Sequence, residues 1–273
     1  MLEGVGLRAL RLFEPERAHR LALKALAAGL VAGDDAPDPE NLATMVFGRR
    51  FPNPVGVAAG FDKHCEALGA TFRLGPGFTE IGGVTPKPQF GNPKPRLFRL
   101  TEDRAVINRF GFNSEGHAVV AERLEAARAD GVDGIVGVNL AVNKDSADPA
   151  EDYAHGVAAF GRPADFVTVN VSSPNTQGLR DLQGEAALAR LLERAVSARD
   201  AVAAESRPAL LVKVAPDLDS AGVAAIADVA LSFRDRGLAG LVVSNTTIAR
   251  PPSLKSRHAA EAGGLSSSRR PSS

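Results

Sequence analysis

The sequence predicts an α/β fold. It reads as a parallel (β/α)8-type barrel, with six strands that can be counted and a small N-terminal helical extension before them. Three observations lead there. From residue 55 onward, short apolar runs alternate with helical patterns, and strands that are apolar on both faces and alternate with helices belong to parallel sheets. Five of the six runs deliver Lys or Asn at or just past their carboxyl end, the face on which barrels of this kind carry their active sites. The composition is that of an ordinary globular chain: 273 residues, 44% hydrophobic and 23% charged, enough to bury a proper core.

The elements follow in order. Residues 6–32 predict one or two short helices, because Leu7, Leu10, Phe13, Leu23, Leu26 and Leu30 recur at helical spacing. Pro15 suits a first helical turn, and Glu14 and Glu16 suit the positive end of the dipole. The polar side carries Arg8, Arg11, Arg17, Arg20 and Lys24. Such a stripe fits an amphipathic helix packed on its own domain or a helix pair lying in a membrane surface. The polar, Pro-containing stretch 33–41 is a natural boundary. The apolar runs are Val55–Ala59, Phe78–Ile81, Ile135–Asn139, Phe166–Val171, Leu210–Val214 and Leu241–Ser244. Helical patterns at His117–Asp130, Glu185–Ser206 and Ser220–Arg236 lie among them. Arg96–Leu100 and Ala105–Asn108 predict an inserted hairpin. The organisation expected is 1–40 helical extension, 41–266 barrel, and 267–273 a disordered Ser/Arg tail without an apolar anchor.

Composition and motifs exclude several classes. Lys+Arg 32 balance Asp+Glu 32, and Trp is absent with one Tyr, so neither a basic surface nor a stacking platform for nucleic acid is expected. The single Cys65 allows no internal disulfide and reads as an incidental helix-start residue. The five His residues show no metal-ligand spacing, and no metal is expected. There is no HExxH, CxxC, GxSxG or GxGxxG. Gly111–Gly116 has phosphate-loop spacing, but His117 stands where the lysine belongs. What remains is two strand-end lysines among several amides, a set suited to an anionic, amide-rich ligand.

These strand ends also carry a family resemblance. The stretches LFEPERAHRLALKAL, NPVGVAAGFDK, EIGGVTPKPQFGNPKPRLFRL, INRFGFNSEG, GVNLAVNKDS, VNVSSPNTQGLR, LLVKVAPDL, VVSNTTIAR and AGGLS resemble those of class 2, quinone-dependent dihydroorotate dehydrogenases. The resemblance implies an FMN-containing barrel that oxidises (S)-dihydroorotate to orotate in de novo pyrimidine synthesis and passes electrons to ubiquinone or menaquinone. It implies Ser173 as the catalytic base, where class 1 enzymes use cysteine. It implies flavin contacts at Ala59, Gly60, Phe61, Asp62, Lys63, Gly83, Asn139, Asn170, Lys213 and Ser244. Substrate contacts are implied at Lys63, Asn108, Arg109, Phe110, Gly111, Phe112, Asn170, Asn175, Asn245 and Thr246. The N-terminal helices are implied to form the quinone tunnel and to rest on the cytoplasmic face of a membrane as a peripheral attachment, with no nucleic-acid partner.

The sequence departs from the family pattern in two places. Ala141 and Val142 stand where the family has Gly and Lys. After AGGLS the chain reads SSRRPSS, so the barrel is expected to lack its last two βα units, roughly 60 residues. The flavin-phosphate glycines would lie in those units. The competing expectation is therefore a catalytically inactive barrel fragment with weak or no FMN binding.

Overall fold

The computed structural model describes residues 6, 8–34 and 36–267. Helix α1 spans Pro15–Ala27; Pro15 opens it, and the Glu14 carboxylate caps it by accepting from the backbone N–H groups of Glu16 and Arg17. Leu23 and Leu26 are buried against Ala67, Ala70 and Phe61 of the main domain. The expected Leu7 position lies outside the described residues.

Strands β1 (Thr44–Val46) and β2 (Arg49–Phe51) form a hairpin that sequence periodicity did not predict. Its two-residue loop, Phe47-Gly48, has φ of 56° and 72°, the doubly left-handed geometry that follows strand twist. Phe51 meets Phe78, and Phe78 meets Phe166, edge to face, across the amino ends of the main strands.

The main sheet is parallel. Its strands are β3 (Gly56–Val57) and β4 (Phe78–Val84), then, after the hairpin β5 (Leu97–Leu100) and β6 (Ala105–Asn108), β7 (Ile135–Leu140), β8 (Phe166–Asn170), β9 (Ala209–Val214) and β10 (Leu238–Val243). The six-stranded order β3-β4-β7-β8-β9-β10 runs in sequence, as in the wall of a (β/α)8 barrel. Every apolar run forms a strand, although Val55–Ala59 contributes only Gly56–Val57 and the last strand starts three residues earlier than expected. Helices α2 (Leu68–Phe72), α3 (His117–Ala129), α4 (Pro149–Phe160), α5 (Glu185–Asp200) and α6 (Ser220–Phe233) connect them. Helix α4 was not anticipated; Asp148 caps it and Pro149 opens it. The core is aliphatic. Ile81, Val138, Val167, Val169, Leu210 and Val212 are fully buried beside Tyr153, Phe160, Leu188, Leu191 and Leu192.

A three-stranded antiparallel sheet, order β11-β6-β5, covers one side of the strand ends. Strand β11 is Gly264–Ser267, and its last residue falls in the expected tail. Leu265 buries itself with Phe98, Leu100 and Ile107, and Ser267 pairs with Ala105. Backbone pairing, which needs no apolar side chain, thus holds residue 267 in a strand and not in a disordered tail. Residues 268–273 lie outside the described set.

The two edges of the main sheet differ from its centre. β9 is almost wholly buried, whereas β10 exposes Leu241 and leaves Val243 80% accessible. Among the described residues no helix is long and apolar enough to cross a membrane.

Candidate active site

The carboxyl ends of β3, β4, β7, β8, β9 and β10 converge on one row of polar side chains. Asn139, at the end of β7, donates its amide N–H to Glu80 Oε1 at 3.1 Å. Asn170, the last residue of β8, donates to Asn139 Oδ1 at 2.8 Å. The Ser172 hydroxyl donates to Asn170 Oδ1 at 2.6 Å, and Asn245, just past β10, donates to Ser172 Oγ at 2.8 Å. The Ala59 N–H closes the other end on Glu80 Oε2 at 3.3 Å. Five strands are stitched together in this way, and the strand-end amides predicted from sequence do share one rim.

Two lysines flank the row. Lys213 pairs in register with Asn170 and is 9% exposed. Among the described residues its ammonium has no hydrogen-bond or ion-pair partner, an arrangement that a buried cation keeps only if something else neutralises it. Lys63, in the loop after β3, is half-buried. It donates to Asn113 Oδ1 at 2.6 Å and lies 3.4 Å above the Phe110 ring. Burial, then repulsion from the Arg96 guanidinium, lowers the Lys63 ammonium to about 7, with Glu16 opposing.

Ser173 is buried in the loop after β8. Its Oγ accepts the Asn175 N–H at 3.2 Å, and among the described residues no carboxylate or imidazole hydrogen-bonds to it. Asn175 also reaches the Asn108 carbonyl at 3.2 Å, tying this loop to the end of β6. Ser244 and Thr246 flank Asn245, whose Oδ1 accepts the Thr246 N–H at 2.7 Å.

Several of the expected site residues have side chains engaged in building the rim. The Asp62 carboxylate accepts from the Glu66 and Ala67 N–H groups at 2.7 and 2.8 Å. Phe61 turns toward α1 and meets His19 edge to face. The Arg109 guanidinium pairs with Glu261 at 2.8 Å and stacks over Phe98, so its side chain fastens the 254–262 segment. Phe112 packs against the Cα of Gly83, where an added Cβ would press on the ring and on Ala141. Gly111 has φ +65°, and a Cβ there would strike the Asn92 amide. Gly60 instead faces open space.

Sequence reasoning missed Glu80 and Tyr153. Glu80 sits mid-strand in an apolar run, where one acid looks like a pleat residue. Tyr153, fully buried on α4, donates its hydroxyl to the Asn170 carbonyl at 2.6 Å and supports that strand end from below. Asn92 and Lys144, paired at 2.6 Å, also brace the 108–113 loop, since Asn92 reaches the Arg109 carbonyl.

A cleft of about 430 Å³ opens beside Lys63, between α1 and the rim. Its lining includes Glu16, His19, Leu23, Phe61, Phe110 and Asn113. Glu16 in that lining is held from behind by Arg96, which donates to both of its carboxylate oxygens at 3.0 and 2.6 Å. A second cleft, about 490 Å³, lies at the amino ends of the strands, where Asp165 already neutralises Arg49 and Arg128.

The chain is similar to known proteins over most of its length. A family model described as dihydroorotate dehydrogenase matches residues 41–269. The chain is 56% identical to the dihydroorotate dehydrogenase (quinone) of Rhodospirillum rubrum over 93% of its own length and 67% of that protein. It is 50% identical to the mitochondrial dihydroorotate dehydrogenase (quinone) of Mus musculus over 94% of its length and 65% of that protein. The crystal structure of DHODH in complex with ferulenol from Eimeria tenella superposes with a TM-score of 0.89 at 43% identity, covering 93% of this chain and 72% of that one. The chain belongs to the dihydroorotate dehydrogenase family, as a member of its quinone-dependent class.

Proposed function

We propose that this chain binds FMN at the strand-end rim and oxidises (S)-dihydroorotate to orotate, with a quinone as the final electron acceptor, in de novo pyrimidine synthesis. The observation that carries this reading is the row Glu80–Asn139–Asn170–Ser172–Asn245 flanked by Lys63, Lys213 and Ser173. The residues fit a flavin. Lys213 is buried without a partner, Gly60 leaves open space, and a row of amides can satisfy a ring that shows both N–H and C=O groups. FMN, when bound, supplies acceptance of the hydride that the substrate loses.

The chain's own residues do the rest. Lys213 would hold the electron-rich edge of the ring, and Asn139, Asn170, Ser244 and the Ala59–Gly60 backbone would hold its polar rim. Lys63 would pair with the substrate carboxylate, and its low affinity for a proton marks a cation that waits for an anion. Asn108, Asn175, Asn245 and Thr246 would orient the pyrimidine ring. Ser173 would take the substrate proton, and the Asn175 N–H aimed at its oxygen stabilises the negative charge that develops there. The α1 cleft would admit the quinone. Exposed Leu12 and Leu30, with Arg8, Arg11, Arg17, Arg20 and Lys24, suit an in-plane attachment to an anionic bilayer, at the cytoplasmic face.

The test is Ser173→Ala in the FMN-loaded chain. Flavin content should be unchanged and turnover should fall by roughly a hundredfold or more, the scale of a lost general base. Unchanged turnover removes Ser173 from the chemistry.

A further inference from the structure

We infer that Glu80 is a positioning residue that fixes the direction of the Asn139 amide at the head of the row, and so decides which atoms that end of the row shows to its ligands. The inference rests on the flavin and dihydroorotate reading above and adds to it a residue that touches neither partner. An asparagine amide fits its site in two orientations, and only its hydrogen-bond partners choose between them. A carboxylate accepts and cannot donate. Both Glu80 oxygens are used, one by the Ala59 N–H and one by Asn139, and the side chain is 6% exposed.

Asn139 must turn its NH2 toward Glu80, which turns its carbonyl toward Asn170. Asn170 must then turn its NH2 toward Asn139 and its carbonyl toward Ser172, whose hydroxyl and N–H both donate to it. Ser172 Oγ is left to accept from Asn245, whose carbonyl meets the Thr246 N–H. All three amides therefore point the same way along the rim, each with one N–H left over. A row with its spare donors in fixed places is a template for a flat ligand with acceptors along one edge.

Glutamine at position 80 would have the same shape and the wrong polarity. Its single carbonyl satisfies either the Ala59 N–H or Asn139. When it serves Ala59, its NH2 faces Asn139 and favours the reversed amide. The reversal stops at Asn139, because the backbone N–H groups of Ser172 and Thr246 hold the Asn170 and Asn245 carbonyls in place. Aspartate would have a shorter reach and the right polarity.

The test compares Glu80→Gln with Glu80→Asp in the full chain. Nitrogen–proton correlation spectra report the side-chain NH2 groups of Asn139, Asn170 and Asn245, assigned through Asn→Asp variants. FMN affinity is read by quenching of flavin fluorescence, and KM and kcat for dihydroorotate are measured on the loaded enzyme. Glu80→Gln should shift or double the Asn139 amide signals while leaving Asn245 near wild type, and weaken FMN binding by roughly tenfold, the scale of one lost charge-assisted bond. Glu80→Asp should keep a single Asn139 amide orientation and bind FMN more tightly than Glu80→Gln. Glutamine performing as well as or better than aspartate overturns the inference, as do Asn139 signals that Glu80→Gln leaves unchanged. Should Glu80→Gln not fold, neutron diffraction from wild-type crystals decides: Asn139 deuterons directed at Glu80 support the inference, and deuterons directed at Asn170 overturn it. A wild-type chain that takes up no FMN sinks the cofactor reading, while the amide signals still decide the role of Glu80.

Discussion

Lys63 waits at the rim with a weakened hold on its proton. Burial and the neighbouring Arg96 guanidinium bring it to about 7, although Asn113 and the Phe110 face both favour the charged form. A carboxylate ligand needs the ammonium. Below about pH 7 the cation is present; above it, binding an anion must first draw a proton from solvent. Orotate affinity in the FMN-loaded chain should therefore weaken by up to roughly tenfold per pH unit above 7. Equilibrium titrations across that range check this, with Lys63→Met expected to be weak and flat; a flat wild-type profile contradicts it. The strand-end residues Lys63, Asn139, Asn170, Lys213 and Asn245 were legible because the same chemistry recurs in phase after successive strands. Cys65 reads as incidental, and its surroundings accord with that: burial, then the Asp62 carboxylate, push the thiol up to about 12.

Helix α1 is held to the domain by a contact its amphipathic pattern did not reveal. Leu23 and Leu26 supply the apolar face, as expected from spacing. The polar face does more, since Glu16 is buried and gripped by Arg96, with Lys94 at 3.3 Å. Burial opposes the Glu16 charge, yet the Arg96 hydrogen bonds, and the attraction of Arg96 and Lys94, outweigh it and hold the carboxyl below its usual range. The stability this contributes is present above the unfolded carboxyl value and is lost as pH falls through the lowered one. Glu16→Ala leaves the Arg96 guanidinium buried without its counter-ion and should cost about 3 kcal/mol. Thermal unfolding and proteolysis in the 28–43 segment should both report it; unchanged stability would show that the leucines alone dock the helix. The hairpin β1–β2 and helix α4 escaped the sequence reading for local reasons. Phe47 in a left-handed turn is a rare signal, and α4 begins at Asp148-Pro149, a short capping signal with no long apolar stripe to announce it.

The molecule as a whole is a well-packed sheet with uneven edges. Its centre, β7 to β9, is buried on both faces, which is why those strands read clearly as apolar runs. Edge strand β10 alternates half-buried and exposed residues after a buried Leu238 and leaves Val243 mostly accessible, and an accessible apolar edge pairs readily with another chain. This 273-residue chain should therefore self-associate with rising concentration, and Val243→Lys should reduce that association without changing the fold. Sedimentation velocity over a concentration series checks both; a wild-type chain that stays monomeric throughout contradicts the prediction. At this scale the parallel strand order was legible in the alternation of runs and helices. The docking of β11 on β6 was not, because it rests on backbone hydrogen bonds and one buried leucine.

The most direct test adds dihydroorotate, without oxygen, to the purified chain supplied with FMN, and follows the flavin absorbance. The account predicts that the protein retains flavin through gel filtration, that dihydroorotate bleaches the yellow colour, and that a quinone restores it. A chain that elutes colourless, or that keeps its colour when dihydroorotate is added, would contradict it.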